Sequence, residues 1–508
     1  MFEFLSLRSD EDYINNITYE GANEKITDER FIELEIQRFK ASKRRKEMID
    51  GERYYEGNHD ILKRKRTIIG ENGQLETVDN LPNNRIVDNQ YGKMVDQKKN
   101  YLLGQPIIFR SDNDIYSKLL KKIFNKNFQR LIKNIGEDSL NSGIGWLFVN
   151  YDEHGEFTFK RFKPYEIIPG WSDSDHTKLD YAIRLYEVIA YEGEQEKIVE
   201  KVEVYDTNGI YRFVLEGSKL VPDEVPFSNY FTTIDEDGEQ VIEQGWNWSK
   251  IPLIPFKYNS KEIPLIRKVK TLQDGLNTIL SNFQNNMEED ARNTILILVN
   301  YDGENLGSFR KNLATYGAVK VKTVDGAGGD VKTLQVEVNA ENYKAILEIF
   351  KKSIIENAKG YDAKDDRMSG TPNQMNIQSM YSDIDLDANE METEYQASFE
   401  ELLWFIDVHL FNAGLGDYED EEVEVIFNRD ILINESEVIK SVKESVGILS
   451  DETLVSQHPW IDDPKAELEK ISAQKQKEID EYNNAFNPAI NQQLSGNNGK
   501  DGGVVNEE

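Results

Sequence analysis

From Thr371 to Gly414 the chain reads TPNQMNIQSMYSDIDLDANEMETEYQASFEELLWFIDVHLFNAG. Thr371-Pro372-Asn373-Gln374 has the form of a capping box with proline at the first helical position, so a helix is predicted to open here. Met380, Ile384, Met391, Tyr395, Phe399, Leu402, Ile406 and Leu410 then recur at helical spacing until Gly414 ends the run. Some forty residues at 1.5 Å each make a helix on the order of 60 Å long. A compact globule has no use for such a length; an element that spans an assembly does.

Working outward, two more helices precede this one. The first is predicted over 261–291, with Ile266, Val269, Leu272, Leu276, Ile279, Phe283 and Met287 in register. The second is predicted over 340–359, capped by Asn339 and closed by Gly360. Between them lies a β-rich insert, 292–338, with six bases against five acids and a turn at Gly326-Ala327-Gly328-Gly329. A polar loop, 360–370, leads into the long helix.

Upstream, single helices are predicted over Thr27–Tyr55, with an exposed basic run Lys43-Arg44-Arg45-Lys46, over Asn84–Leu103, and over Lys118–Ile135. The last is apolar on one face, with Lys121, Lys122, Lys126, Arg130 and Lys133 around the rest. From Trp146 to Tyr258 the period changes to two, with hairpin signals at Asn208-Gly209 and Asp237-Gly238, and an earlier one at Asn72-Gly73. Short helices are predicted near Glu435–Val446 and Pro464–Tyr482, and the Asn- and Gly-rich end, 486–508, reads as disordered. The fold class is α+β and mainly helical, with long helices and antiparallel hairpins.

Composition excludes several functions. The 508 residues carry 60 bases and 93 acids, a net charge of −33, which argues against a protein that simply wraps nucleic acid. The charge is uneven: from Ala413 onward there are 22 acids and 8 bases, while Arg38 to Arg66 holds 11 bases and 5 acids. The longest apolar runs, Ile295–Val299 and Leu402–Ile406, are far short of the ~20 residues of a membrane span. The acidic first thirteen residues have no cleavage-site pattern, so no signal peptide is expected. Without cysteine there are no disulfides, thiolate metal sites or cysteine nucleophiles. There is no phosphate-binding G-x-x-x-x-G-K-[ST] loop, and the five histidines (His59, His154, His176, His409, His458) form no ligand-spaced pair.

Asp383, Asp385, Asp387, Asn389 and Glu394 nearly match a calcium loop. However, Ala388 stands where that loop needs glycine, and helical periodicity would splay the three aspartates. No catalytic, cofactor or metal residue is therefore assigned.

The order of elements, with certain local stretches, resembles the portal (head-to-tail connector) proteins of long-tailed double-stranded-DNA phages, in the class found in phages of Gram-positive hosts. The stretches are Tyr54-Tyr55-Glu56-Gly57-Asn58-His59-Asp60-Ile61, Asn84-Arg85-Ile86-Val87 leading to Tyr101-Leu102-Leu103-Gly104-Gln105-Pro106, and Ser142-Gly143-Ile144-Gly145-Trp146. To these add Ile251-Pro252-Leu253-Ile254-Pro255-Phe256 and Leu272-Gln273-Asp274-Gly275-Leu276-Asn277. The resemblance implies a ring, typically of twelve copies, at the portal vertex of the virion, after assembly in the host cytoplasm.

By position it implies a wing at 1–260, a stem helix at 261–291, a clip at 292–338 and a second stem helix at 340–359. A tunnel loop follows at 360–370, a long wing helix and return strand at 371–433, a crown at 434–485 and a tail at 486–508. Lys359, Asp362, Lys364, Asp365, Asp366 and Arg367 would then face the DNA channel. Tyr301, Arg310, Lys311, Lys320 and Lys322 would lie on the clip's docking surface, and Met391, Tyr395, Phe399 and Leu402 at a subunit interface.

The partners implied are further copies of the chain, double-stranded DNA bound without sequence specificity, terminase, a neck adaptor, and the major capsid and scaffold proteins. No membrane and no enzymatic activity are implied. Two other readings are another virion component (an adaptor or scaffold) and an acidic hydrolase with an unrecognised carboxylate site. The long helix counts against the first, and no residue is singled out for the second.

Overall fold

The computed structural model describes residues 28–69, 74–79, 81–152, 154–193, 195–234, 240–290, 295–299, 330–334, 340–362, 374–429, 435–461 and 464–486. The chain divides into two compact units, Met1–Asp362 with Asp383–Asp430, and Ala363–Ser382 with Ile431–Glu508.

The first unit opens with α1 (Asp28–Ala41) and α2 (Lys43–Tyr55), where the sequence predicts a single helix. Ser42 causes the break: its backbone is extended and its side chain accepts from the Arg45 amide, so it caps a new helix rather than continuing the old one. Asn125 does the same between α4 (Asp114–Ile123) and α5 (Lys126–Ser142), accepting from the Asn127 and Phe128 amides. Between these pairs lie the ribbon β1 (Thr67–Ile69) with β2 (Leu75–Thr77), then α3 (Gln90–Leu103) and β3 (Ile108–Arg110). The predicted start of α3 at Asn84 moves to Gln90, because 84–89 is used otherwise, as shown below.

The period-two region forms antiparallel sheets, as the alternation predicts. Strands β4 (Ile144–Tyr151), β5 (Phe157–Phe162) and β13 (Leu253–Lys257) pair in the order β13-β4-β5. Strands β6 (Ile167–Trp171), β7 (Leu179–Glu192), β8 (Gln195–Asp206), β9 (Gly209–Glu216) and β10 (Lys219–Ser228) make a five-stranded meander. Asp206 pairs with Gly209 across the Asn208-Gly209 turn. The β11 (Phe231–Ile234) and β12 (Gln240–Trp246) ribbon flanks the other predicted turn, which lies outside the described residues. Ile32, Ile36 and Phe39 of α1 and Met48 of α2 share one apolar core with Trp146, Phe148, Ile168, Ile183, Val202 and Leu253.

The long elements follow in the predicted order: α6 (Leu265–Asp290), α7 (Ala340–Asn357) and α8 (Gln374–Asn412). Of the insert, β14 (Ile295–Val299) and β15 (Asp330–Leu334) are described, paired antiparallel; the predicted turn at Gly326-Ala327-Gly328-Gly329 lies outside the described residues. Helix α8 has 39 residues, about 58 Å of rise. From Ile384 onward it buries a continuous stripe, and the return strand β16 (Glu424–Ile426) pairs with β3.

The second unit holds the first nine residues of α8, where Ile377, Met380 and Tyr381 are buried. It also contains α9 (Glu435–Glu444), α10 (Asp451–Ser456), capped by Ser450, and α11 (Pro464–Phe486). Among the described residues no helix is long and apolar enough to cross a membrane.

Candidate functional site

The stretches that carry the resemblance converge on α6. Its apolar register explains only the first half of its burial. Along the second half the fully buried positions are Asn277, Ser281 and Asn285, in line with Gln273, while Met287 is exposed. Three of these polar side chains take a backbone amide from the segment before α3, and Gln273 takes one from the second residue of α3. Asn285 Oδ1 accepts from Asn84 (2.7 Å), Ser281 Oγ from Ile86 (2.9 Å), Asn277 Oδ1 from Asp88 (3.0 Å) and Gln273 Oε1 from Tyr91 (2.9 Å). From Asn285 to Asn277 the match is geometric: four helical residues rise ~6 Å, close to the advance of two residues of extended chain. Segment 84–89 runs extended along α6 instead of joining α3, because its alternate amides, of Asn84, Ile86 and Asp88, are committed to α6.

The Tyr54–Ile61 stretch completes this contact. His59 is buried, stacks on Tyr54 at 4.3 Å, and burial lowers its pKa, so it is neutral. Asn277 Nδ2 donates to its Nδ1 (2.8 Å), which leaves Nε2–H to donate to the Tyr54 carbonyl (3.0 Å). Gly275 faces α7: a Cβ there would come within 2.5 Å of the Phe350 ring, so glycine permits the close approach of the two helices.

A buried carboxylate sits at the foot of α6. Glu262 receives Arg44 and His176 Nδ1 (2.7 Å), with Lys257 Nζ at 3.8 Å. A carboxylate only accepts, so His176 donates from Nδ1. Trp171 stacks on His176 at 5.0 Å. Glu262 and His176 both have positive φ (53° and 56°), which costs on the order of 1–2 kcal/mol per non-glycine residue and persists where surroundings enforce it. Gly143 lies against this turn; any Cβ would strike the Glu262 carbonyl at 2.0 Å. The basic run predicted to be exposed is thus only half so: Arg44 reaches Glu262 and Arg45 donates to the Tyr165 carbonyl, leaving Lys43 and Lys46 in solvent.

Burial alone would push the Glu262 carboxyl up. The charge of Arg44, the His176 hydrogen bond and charge, and Lys257 outweigh burial and hold it at about 2. Because the folded value lies below the ordinary 4.5, its stabilisation is complete above about pH 4.5 and lost as pH falls toward 2. The gap corresponds to about 3 kcal/mol. Urea midpoints of the wild-type chain should fall across that window, while Glu262→Gln starts lower at pH 7 and has a flatter profile. Parallel profiles would contradict the assignment.

The third tie is Asp387 on α8. Its Oδ2 accepts from Lys98 Nζ of α3 (2.6 Å) and Tyr258 Oη (2.6 Å). Its Oδ1 has no hydrogen-bond partner among the described residues, and Lys359 and Lys268 stand 3.5 and 3.8 Å from it. Burial works against both charges and brings Lys98 down to about 8. For Asp387, the charge and hydrogen bond of Lys98, with Tyr258 and Lys268, outweigh burial and leave it below the usual range. One carboxylate thus ties α3, α6, α8 and the residue just beyond α7. Lys359 has positive φ (52°); Lys98 Nζ also donates to its carbonyl (3.1 Å), and Gln97 exchanges two hydrogen bonds with the Tyr361 backbone (2.9 and 3.0 Å).

Of the residues singled out in the sequence, Lys359 and Asp362 are described; Lys359 stands beside Asp387, half-exposed. Lys364, Asp365, Asp366 and Arg367 lie outside the described residues, as do Tyr301, Arg310, Lys311, Lys320 and Lys322. The interface assigned to Met391, Tyr395, Phe399 and Leu402 is corrected. All four are buried inside their own subunit, with Phe399 ringed by Phe109, Phe128, Phe256 and Phe427 and Tyr395 Oη against Ser139 Oγ (2.8 Å). Core side chains at this depth present nothing to a neighbour. The near-calcium pattern does splay: Asp385 meets Tyr101 and Arg429, while Asp387 points to the lysines.

Sequence reasoning missed Lys98, Tyr258, Glu262, the role of Asp387 and the polar ladder. The four-residue spacing of Gln273, Asn277, Ser281 and Asn285 was a usable signal for the ladder alone.

These ties join α2, α3, α6, the antiparallel sheets, the residues just after α7 and the part of α8 from Asp383 onward within the first unit. The profile of the phage portal proteins of the SPP1 Gp6-like type matches residues 39–481, and the chain belongs to that family. It is 29% identical to the portal protein of Bacillus phage SPP1 over 439 residues, 86% of this chain and 84% of that one. It is 28% identical to the portal protein of Clostridium phage phiCD119 over 470 residues, 89% and 99% of the two chains. A chain from the neck of an empty GTA particle aligns in structure with 12% identity and a TM-score of 0.39, covering 72% of this chain and 89% of that one. The protein is therefore a ring-forming structural component of the virion, placed at the portal vertex of the capsid, and not an enzyme.

Proposed function

We propose that twelve copies form a channel through which double-stranded DNA enters the capsid during packaging and leaves at ejection, without sequence specificity. In this reading 261–291 and 340–359 are the stem, 360–370 is the tunnel loop, and 1–260 with 371–433 is the wing that meets the capsid and scaffold proteins. The clip, 292–338, docks terminase and later the neck adaptor through a surface including Tyr301, Arg310, Lys311, Lys320 and Lys322, and 434–485 is the crown.

The observation that carries the reading is the Asp387 junction. Load on a loop that follows Tyr361 passes into a base pinned by Gln97 and Lys98 and joined to both stem helices and the long helix. The loop's own charges nearly cancel, with Asp362, Asp365 and Asp366 against Lys364 and Arg367, as suits a strand that must slide. Replacing the three aspartates by lysine adds six charge units per subunit. Such rings should assemble but stall packaging in a strongly salt-dependent way. Packaging at the normal rate in low salt would remove the loop from the channel.

A further inference from the structure

Helices α4 and α5 carry a surface at odds with the rest of this acidic chain. Between Asp114 and Glu137 there is no acid, yet there are six cations: Lys118, Lys121, Lys122, Lys126, Arg130 and Lys133. The apolar side of the two helices buries Tyr116, Leu120, Phe124, Phe128, Ile132 and Ile135, which turns the cations outward. Five are exposed and Lys133 is half-buried. Several cations elsewhere in this unit are answered by acids, as in Lys98–Asp387, Lys99–Glu137, Arg161–Asp138 and Arg429–Glu392. Among the described residues none of these six has an ion pair or side-chain hydrogen bond. The platform beneath them is rigid: Asn113 and Asn125 cap the two helices, and Tyr116 Oη is fixed to Asp407 (2.5 Å).

We infer that this outward face of α4 and α5 binds the phosphate backbone of double-stranded DNA outside the channel. Unpaired, acid-free cations spaced one helical turn apart suit a polyanion of regular charge density. A protein partner fits less well. Interface centres are depleted in lysine and built on apolar and aromatic anchors, whereas here five of six cations are lysine and the exposed large apolar residue is Ile115, at the acidic end. The contacts reach phosphate rather than base edges, so binding is independent of sequence. The inference rests on the reading that the ring handles duplex DNA and on the wing assignment of 1–260, which sets this face away from the channel.

A covalently closed duplex circle cannot thread a closed ring, so it reports outer surfaces alone. Wild-type rings should bind such a circle with affinity falling about a thousandfold between 50 and 200 mM salt if all six cations engage. Replacing the six cations by glutamine should abolish most of the binding and flatten the salt dependence, while replacing the five lysines by arginine preserves both. If glutamine at all six positions lowers the melting temperature, three substitutions on α4 alone or α5 alone should each remove about half of the log–log slope.

No binding of the closed circle by wild-type rings, or an unchanged salt slope in the glutamine variant, would overturn the inference. So would a folded glutamine variant that fails to form rings, since that assigns the face to an acidic surface of a second copy. The channel reading fails separately, by loss of packaging or of the central hole in rings that still bind circles.

Discussion

Asp387→Ala should destabilise the subunit by about 3–5 kcal/mol, because it strands the buried Lys98 ammonium rather than merely deleting an interaction. The expected signature is asymmetric. Asp387→Leu combined with Lys98→Met should recover most of the loss, since a buried pair is costly to break and cheap to replace as a unit. Urea denaturation of Asp387→Leu, Lys98→Met and the double variant, followed by tryptophan fluorescence, supplies the cycle. Hydrogen exchange at Lys359 to Asp362 should also quicken in the single variant, because Lys98 loses its position against the Lys359 carbonyl. Additive losses in the double variant would show that the two side chains act separately, and would remove the junction.

Phe399→Ala should cost about 3–5 kcal/mol in the isolated subunit. The ring lies between Phe109 at 5.2 Å and Phe256 at 5.3 Å, with Phe427 at 6.1 Å, so its removal leaves a cavity that neighbours from separate segments would have to collapse together to fill. A residue of the subunit interface behaves differently: its truncation leaves the melting temperature of the dissociated chain unchanged and weakens only assembly. A drop in melting temperature before any ring forms is the expected result, and an unshifted one would restore the interface assignment.

What was legible in the sequence follows from periodicity. The apolar stripe of α8 and the alternation from Trp146 to Tyr258 each need only one face to be buried, and one face is what local spacing reports. Helix breaks were harder. Ser42 and Asn125 lie inside stripes that continue across them, and the stripe was read where the cap wins. The ladder on α6 escaped because a buried asparagine is indistinguishable in sequence from a solvated one until its partner, a backbone amide some two hundred positions away, is known. Glu262 was still less accessible. Its partners come from positions 44, 176 and 257, and its left-handed backbone is imposed by the fold around it. The order of elements together with the local stretches around Tyr54, Asn84, Ser142, Ile251 and Leu272 carried the resemblance to the family, but the residues that hold the helices in place were visible only in three dimensions.

Electron cryo-microscopy of the purified full chain is the most direct test of the channel. The expected image is a closed ring, twelvefold or near it, with a central hole wide enough for duplex DNA. Each subunit should enclose its own Asp387–Lys98 pair where α6, α8 and the end of α7 meet, with residues 360–370 projecting into the hole. Compact monomers or dimers without a hole, or a ring whose bore is bounded by the five-stranded sheet and not by the stem helices, would contradict it.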